Sequence, residues 1–365
     1  MSISTIHNQS QSIIPVPQKI LIRCDAAPEI GFGHVVRCLA LADELRNSHG
    51  CQVDFAMLQG PQGVAQVQDQ GYAVFQPSQG IENLDEGAWL QDLITGKHHQ
   101  VLVLDVRTDL ANEAVQSIRE SGVVIVTIDD PSDRRLHADL AFYPPVPQVE
   151  RMDWTGFTGK YFIGWDWVLL RPQFAEAAQQ ANIRGERSKS ASQSNERKLT
   201  ILVTMGGSDP EGLTIIAIDA IEQIAGNFHV VLIIGRGFMH QAALKKRLAV
   251  AERNYEIHHN VINIAQLMLD SDLAISTFGV TAYELASVKT PSIQISLTID
   301  HEESCRALLL AGLACSLGLY HSVTPDIMAR KIDETINAFK GNSEYPSIID
   351  GCGYERIARE IKARL

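Results

Sequence analysis

Residues 20–37 read ILIRCDAAPEIGFGHVVR, and this stretch decides the fold. Its first five residues form a short β-rich run, which predicts a buried strand. Gly31 and Gly33 follow in a turn where the backbone can approach a ligand closely. Beyond the turn, apolar residues recur at helical spacing, namely Val35, Cys38, Leu39, Ala42 and Leu45. A strand, a glycine turn and an amphipathic helix in this order are typical of a βα unit.

The same alternation of strands and helices continues along the chain. Further β-rich runs lie at residues 53–58, 101–106, 123–128, 200–204, 230–234, 273–276 and 292–296. Continuous apolar runs of this kind are buried on both faces, as in parallel sheets. A later helix carries an apolar stripe at Leu213, Ile216, Ala217, Ala220, Ile221 and Ile224. The pattern predicts an α/β protein with doubly wound parallel sheets.

The chain has 365 residues, more than one ordinary α/β core, so we expect two domains. Residues 1–18 are polar, lack the features of a secretory signal and predict a disordered tail. Residues 179–198, QQANIRGERSKSASQSNERK, predict a flexible linker between domains at 19–178 and 199–365. Residues 143–164 are rich in proline and aromatic residues, and we expect them to be irregular. The second domain should end in a docking helix, with one apolar face formed by Tyr354, Ile357, Ala358 and Ile361.

The composition argues against several classes of function. The formal net charge is −12 with scattered basic residues, which disfavours a nucleic-acid partner. No apolar run approaches the roughly 20 residues of a membrane-spanning helix, so we expect no stable membrane insertion. The six cysteines show neither CxxC pairs nor metal-ligand spacing, which indicates a reduced, cytoplasmic protein without metal or cofactor. The glycine-rich turns do not match the motifs for dinucleotides or ATP.

Three turns follow predicted strands, at the end of the sheet where this class of fold binds ligands. In the first turn, His34 begins the helix and Arg37 lies on the same face one turn later. A helix N-terminus favours the neutral imidazole, which can accept a proton. The flanking glycines and Arg37 favour a functional His34 over a surface histidine beside a turn.

The second turn reads GGSDPE at residues 206–211. Ser208 and Glu211 have capping-box spacing, while Asp209 followed by Pro210 is an alternative helix start. Neither explains two consecutive glycines. Their exposed amides predict an anion site at the start of the helix, suited to a phosphate.

The third turn reads STFGVTAYE at residues 276–284. Thr281 and Glu284 again have capping-box spacing, but a carboxylate one turn into this helix is also suited to bind ribose hydroxyls. Asp129 and Asp130 are paired carboxylates after another predicted strand. They are candidates for binding a metal or a sugar hydroxyl, although such pairs more often cap a turn.

Taken together, these motifs resemble the family of UDP-sugar hydrolases of the pseudaminic acid pathway and their spore-coat polysaccharide relatives. That family is similar to the glycosyltransferase that adds N-acetylglucosamine in peptidoglycan synthesis. The motifs that carry the resemblance are, in order, RCD (23–25), IGFGHVVR (30–37), IDD (128–130), VLLRPQF (168–174), GGSDP (206–210), TAYEL (281–285) and DGCGYERI (350–357).

The resemblance implies a B-type glycosyltransferase fold, with two Rossmann-like domains around a cleft and UDP mainly on the second. It implies that His34 is the catalytic histidine and Glu284 the ribose-binding glutamate. The candidate nucleotide-binding residues are Gly206, Gly207, Ser208, Phe278, Gly279, Thr281 and Glu284. The candidate substrate-binding residues are Asp25, Gly31, Gly33, Arg37, Asp105, Arg107, Asp129, Arg171, His301 and Glu302.

Two positions depart from the family pattern. Asp105, Val106 and Arg107 stand where the pseudaminic-type hydrolases usually have Asp-His-Tyr, and His301 with Glu302 replaces an Asn-Gln pair. The expected activity is hydrolysis of a UDP-linked acetamido sugar at its anomeric carbon, with His34 as general base. The alternatives are a glycosyltransferase that uses the same donor and a non-catalytic nucleotide-sugar binding protein.

Overall fold

The computed structural model describes residues 17–26, 31–78, 80–188, 198–261, 263–339 and 345–365. Most of the tail expected at residues 1–18 therefore lies outside the described residues. The described chain forms two parallel sheets with helices packed against them, as the alternation of strands and helices predicts. None of its helices combines the length and apolarity that crossing a membrane requires.

The first sheet has seven parallel strands in the order β3-β2-β1-β4-β5-β6-β7. The strands are β1 (Lys19–Cys24), β2 (Gln52–Ala56), β3 (Ala73–Phe75), β4 (Val101–Asp105), β5 (Val124–Ile128), β6 (Leu140–Tyr143) and β7 (Lys160–Ile163). The helices between them are α1 (Gly33–Asn47), α2 (Pro61–Asp69), α3 (Glu86–Lys97), α4 (Asn112–Glu120) and α5 (Pro147–Glu150). The strand order reverses between β1 and β4, and ligands bind at such a switch point.

The second sheet has six parallel strands in the order β10-β9-β8-β11-β12-β13. Its strands are β8 (Leu199–Thr204), β9 (Phe228–Ile234), β10 (Tyr255–His259), β11 (Leu273–Thr277), β12 (Ser292–Ser296) and β13 (Cys315–Leu319). The remaining helices are α6 (Gln173–Ser188), α7 (Leu213–Gln223), α8 (Gln241–Leu248), α9 (Ile264–Leu269), α10 (Val280–Ser287), α11 (Ile299–Leu310), α12 (Pro325–Phe339) and α13 (Gly353–Lys362). Here the switch point lies between β8 and β11.

The flexible linker predicted from residue 179 is wrong over its first half. Helix α6 continues to Ser188, and residues 189–197 lie outside the described residues. Phe174, Ala177 and Ala181 share a buried cluster with Leu202 of the second sheet. Small alanine side chains allow this close packing, and they gave no apolar signal as strong as a leucine stripe. Helix α6 therefore packs on the second sheet, although its first residues precede the predicted boundary at 178.

The terminal helix α13 packs on the other sheet. Its predicted apolar face is buried in a cluster with Ile20 of β1 and with Cys38 and Leu45 of α1, and consists of Tyr354, Ile357, Ala358 and Ile361. The chain thus returns to the first sheet after completing the second. Assigning residues 199–365 to one domain does not describe this packing.

The region 143–164 is more regular than expected. It contains α5 and the edge strand β7, which pairs with β6 from Leu140↔Lys160 to Tyr143↔Ile163. Aromatic rings supply the packing here, since Trp154 stacks on Tyr161 with centroids 4.6 Å apart. Proline and aromatic residues did not prevent a strand at the sheet edge, where one face is exposed.

Candidate active site

His34 lies at the start of α1, above the carboxyl end of the first sheet. Its Nδ1 is 2.7 Å from Oδ1 of Asp105, the last residue of β4. Cys24 and Asp105 are neighbours in the β1–β4 register, so the switch point brings the carboxylate under the first turn of α1. The two residues were both candidates from the sequence, but their pairing was not predicted.

Asp105 is fully buried and held by three side chains of α1. Arg37 donates from Nε to Oδ2 at 2.6 Å and from Nη2 to Oδ1 at 2.5 Å, and the Cys38 thiol donates to Oδ2 at 3.3 Å. Burial alone would raise the pKa of Asp105, but the charge of Arg37 and then His34 outweigh it and hold that pKa well below its usual range. The carboxylate is therefore ionised at neutral pH. Its carboxylate is hydrogen-bonded to His34, and Asp105 also lines the pocket described below, so the substrate contact expected for it stays a prediction.

The Asp105 carboxylate fixes the tautomer of His34. An ionised oxygen 2.7 Å from Nδ1 requires the proton on Nδ1, because two lone pairs would otherwise repel each other. In the neutral imidazole, Nε2 then carries the free lone pair. His34 lines a pocket that also contains Asp25, Gln59, Asp105, Val106, Arg107 and Thr108.

Asp25 is buried, holds neighbouring backbone in place and also lines the pocket, so the substrate contact expected for it stays a prediction. Its Oδ1 accepts from the amides of Leu58 at 2.7 Å and Gln59 at 3.2 Å, and its Oδ2 accepts from Arg23 at 2.6 Å. Arg23 is also fully buried and donates to Glu86 at 2.7 Å. This chain of charges fixes the loop that follows β2 beside the pocket.

Arg37, Arg107 and Asp129 lie together at the rim of the first sheet. Arg107 donates to the Asp129 carboxylate at 3.0 Å, and Arg37 lies 3.6 Å from the same oxygen. Asp129 has a left-handed φ of 52°. Its neighbour Asp130 is buried and binds Ser132 and Arg134, so it stabilises a turn. Among the described residues, no group of three His, Cys, Asp or Glu side chains could hold a metal.

On the second sheet, α7 begins later than its capping motifs predict. The helix starts at Leu213, and the two oxygens of Asp209 accept from the amides of Leu213 at 2.8 Å and Thr214 at 2.9 Å. Ser208, Glu211 and Pro210 therefore do not begin the helix. Asp209 already occupies these two amides of the first turn, so the start of α7 does not leave them free for a ligand. The anion site at Gly206, Gly207 and Ser208 stays a prediction.

Gly206 and Gly207 form a turn of their own after β8. Gly206 has a φ of 74°, which favours glycine. Gly237 donates its amide to the Gly207 carbonyl at 2.9 Å, and a Cβ on Gly235 would lie 2.3 Å from the same oxygen. A second glycine-containing turn thus supports the first from behind.

Glu284 is buried in α10 and paired with a residue just before α6. Arg171 donates to its Oε1 from Nη2 at 2.7 Å and from Nε at 3.2 Å. The capping box predicted for Thr281 and Glu284 is wrong, since α10 begins at Val280 after Gly279 and has no side-chain cap. The pair instead lies beside the switch point of the second sheet.

The glycine turns of the two sheets meet. A Cβ on Gly207 would lie 2.9 Å from the ring of Phe32, and one on Gly33 would lie 3.4 Å from Val280. Gly31, with a φ of 79°, precedes this contact. The loop that carries His34 therefore packs directly against the glycine turn of the second sheet.

Helix α11 completes the cleft. The centroid of the His301 ring lies 5.8 Å from that of Phe278. Burial lowers the pKa of His301, and Asp300 partly opposes this effect. The positive charge of Arg107 adds to the lowering. Glu302 lies beside Gly318 of β13. Gln148 of α5 donates to Ser304 of α11 at 2.7 Å, so this helix contacts the first half of the chain.

Sequence reasoning missed two residues of the pocket. Gln59 directly follows the predicted strand at 53–58, and Thr108 lies two residues after the run at 101–106. Their position at the carboxyl ends of predicted strands was the available signal. Neither residue type is distinctive enough to stand out without the strand order.

No family model matches the chain. Over 346 residues it is 21% identical to the spore coat polysaccharide biosynthesis protein SpsG of Bacillus subtilis, a match that covers 92% of this chain and 95% of that protein. Over 263 residues it is 25% identical to the UDP-2,4-diacetamido-2,4,6-trideoxy-beta-L-altropyranose hydrolase of Campylobacter jejuni, covering 70% and 82%. These two bacterial proteins support the family resemblance that the sequence motifs indicate.

Another relative is longer than this chain. An uncharacterized protein of Methanocaldococcus jannaschii is 26% identical over 282 residues, which are 75% of this chain. The match covers 55% of that protein, so the chain spans about half of its length.

Solved structures agree on the fold. MurG of Acinetobacter baumannii superposes with a TM-score of 0.65 at 15% identity, covering 95% of this chain and 99% of that one. MnaA of S. aureus, solved with UDP, gives a TM-score of 0.63 at 12% identity, covering 94% and 96%. The B-type glycosyltransferase fold implied by the sequence motifs is confirmed.

Proposed function

We propose that this protein hydrolyses a UDP-activated acetamido sugar at its anomeric carbon, in the synthesis of a surface polysaccharide or a nonulosonic acid. The observation that carries the proposal is the 2.7 Å hydrogen bond between His34 Nδ1 and buried Asp105. It leaves Nε2 as a proton acceptor in a pocket at the switch point of the first sheet. The printed name of the Campylobacter jejuni relative, a UDP-sugar hydrolase, supports the same reaction.

In the proposed reaction, His34 Nε2 removes a proton from water. The water oxygen forms a bond to the anomeric carbon while the bond from that carbon to the diphosphate oxygen breaks. The electron pair of the broken bond goes to the departing UDP. Asp105 keeps Nδ1–H in place and stabilises the imidazolium that forms.

The second sheet would hold the nucleotide. The backbone amides of Gly206, Gly207 and Ser208 are proposed to face the diphosphate. The first amides of α7 would not contribute, because they donate to Asp209. Glu284 would accept hydrogen bonds from the ribose hydroxyls through Oε2, because both bonds from Arg171 described above go to Oε1. Phe278, Gly279 and Thr281 border this place at the start of α10.

The sugar would lie between the two sheets. Arg107, Asp129 and His301 are the polar groups proposed to contact it, from opposite sides of the cleft. Arg37 would act mainly through Asp105, since it donates two hydrogen bonds to that carboxylate. Glu302 follows His301 directly in the sequence, and we propose that it contacts the sugar at the edge of the same binding site.

The test is release of UDP from a panel of UDP-linked acetamido sugars without any acceptor. We expect release by the wild type and none above background by His34→Ala, with UDP binding retained in calorimetry. His49→Ala is the matched control, because His49 lies just beyond α1 and is not among the residues lining the pocket. Binding without release by the wild type would favour a transferase or a binding protein.

A further inference from the structure

We propose that Thr108 and Gln59 hold the attacking water beside His34. This inference rests on the proposed hydrolysis and adds two residues to it. Both line the pocket that contains His34 and Asp105. Their role would be to bind the nucleophile, and not the nucleotide or the sugar.

The size of the pocket fits water. Its volume is about 60 Å³, whereas sites for drug-sized ligands typically measure roughly 300–1,000 Å³. A single water needs only about 10–15 Å³ of such space and two to four polar partners. The pocket therefore has room for a few water molecules but not for a sugar ring with its nucleotide.

Thr108 offers a hydrogen-bonding group without a protein partner. Its Oγ1 is buried and makes no hydrogen bond within the described part of the chain. Buried polar atoms are rarely left unpaired, and ordered water is their common partner. The hydroxyl can both donate and accept, so it can bind a water in either orientation.

Two buried Arg–Asp pairs fix the loops that carry these groups. Arg134 donates from Nη1 to the Thr108 carbonyl at 2.5 Å and from Nε to Asp130 at 3.0 Å. On the other side, Asp25 binds the Gln59 amide at 3.2 Å and is held by Arg23. Both backbone positions are thus set from beneath the pocket, which is the rigidity that positioning a nucleophile requires.

These contacts give the water a defined orientation. One hydrogen would point to His34 Nε2, while the Thr108 hydroxyl and the Gln59 carboxamide would bind the remaining positions. One lone pair of the water is left for the anomeric carbon. As the oxygen bonds to that carbon, the proton passes to Nε2 and the diphosphate oxygen leaves with its electron pair.

The experiment compares Thr108→Val with Thr108→Ser in UDP release. Valine keeps the shape and removes the hydroxyl, so we expect kcat to fall about 10- to 100-fold with KM changed less than about twofold. Serine keeps the hydroxyl and should retain kcat within a few-fold. Gln59→Ala should also lower kcat, whereas Gln62→Ala, on the exposed start of α2, should not.

Three results would overturn the inference. Wild-type kcat in Thr108→Val excludes the hydroxyl from the reaction, and a raised KM at unchanged kcat assigns it to substrate binding. A high-resolution crystal structure of the wild type should show water within hydrogen-bond distance of Thr108 Oγ1 and His34 Nε2, and an empty pocket there contradicts the proposal. A wild type that binds donors but releases no UDP would instead sink the proposed hydrolysis itself, and this inference with it.

Discussion

The imidazole of His34 and the carboxylate of Asp105 are joined by a 2.7 Å hydrogen bond at the switch point of the first sheet. The protein contains a second buried pair of the same kind, His99 Nε2 with Asp54 at 2.9 Å. Neither His99 nor Asp54 lines the pocket that contains His34. The second pair is therefore an internal control, which separates the effect of losing a buried Asp–His bond from the effect on the site.

Replacing Asp105 by asparagine should abolish most of the activity. The amide cannot hold Nδ1–H as the carboxylate does, and we expect the rate of UDP release to fall about 100- to 10,000-fold, by analogy with the serine protease triad. Asp54→Asn should lose thermal stability and keep its specific activity. The test is to measure the rate of UDP release and the thermal unfolding of both variants. Equal losses of specific activity would contradict a catalytic role for the Asp105–His34 pair.

The stability of the wild type should depend on Asp105 at acid pH. Arg37 and His34 hold its pKa far below the unfolded value of about 3.9, so the folded state binds fewer protons there. The stabilisation is present in full above the unfolded pKa and is lost progressively as pH falls from that value towards the lower folded pKa. Urea unfolding at pH 5 and pH 3.5 should show a steeper loss for the wild type than for Asp105→Asn. Parallel losses would disprove this linkage.

Glu284 should matter for nucleotide affinity. Glu284→Ala removes the proposed ribose acceptor and leaves Arg171 without this carboxylate, so we expect UDP to bind about 10- to 100-fold more weakly in calorimetry. Arg184→Ala, which breaks an exposed ion pair between α6 and Asp270 at the end of α9, should change UDP affinity less than twofold. Unchanged UDP affinity in Glu284→Ala would exclude the proposed contact.

The turn of Gly206 and Gly207 should be sensitive to a residue behind it. In Gly235→Ala the new Cβ would meet the carbonyl oxygens of Gly207 and Gly206, at 2.3 and 2.6 Å, so the turn must shift. We expect weaker UDP binding and a loss of about 1–3 kcal/mol in the free energy of unfolding. Gly96→Ala, in α3 with open space around it, should instead stabilise the protein by about 0.4–1 kcal/mol. UDP binding unaffected by Gly235→Ala would show that this turn does not face the nucleotide.

The sequence predicted the elements of the fold better than their arrangement. All eight predicted strands are present, but β3, β6, β7, β10 and β13 were missed. Four of these five, all but β6, are edge strands and are partly exposed, so they lack a long continuous apolar run. The part of α6 from residue 179 onward was taken for a linker because polar residues dominate it, and only tertiary packing shows the buried face of the helix.

The candidate site shows the same limit. His34 and Asp105 were both predicted as site residues, but their hydrogen bond depends on β4 lying beside β1. Local sequence patterns do not predict this strand order. Asp25 was expected to touch the substrate because it follows a strand and precedes a glycine turn. Its burial against Arg23 could not be read from the sequence, and Gln59, which Asp25 positions, was overlooked for the same reason.

Hydrolysis of a suitable UDP-sugar in water enriched in oxygen-18 tests the central claim most directly. Attack by water at the anomeric carbon, with His34 as base, predicts that mass spectrometry of the released UDP shows no label and that His34→Ala releases no UDP. Oxygen-18 in the UDP would place the attack on phosphorus, and release that persists in His34→Ala would remove His34 from the reaction. Either result would contradict the account.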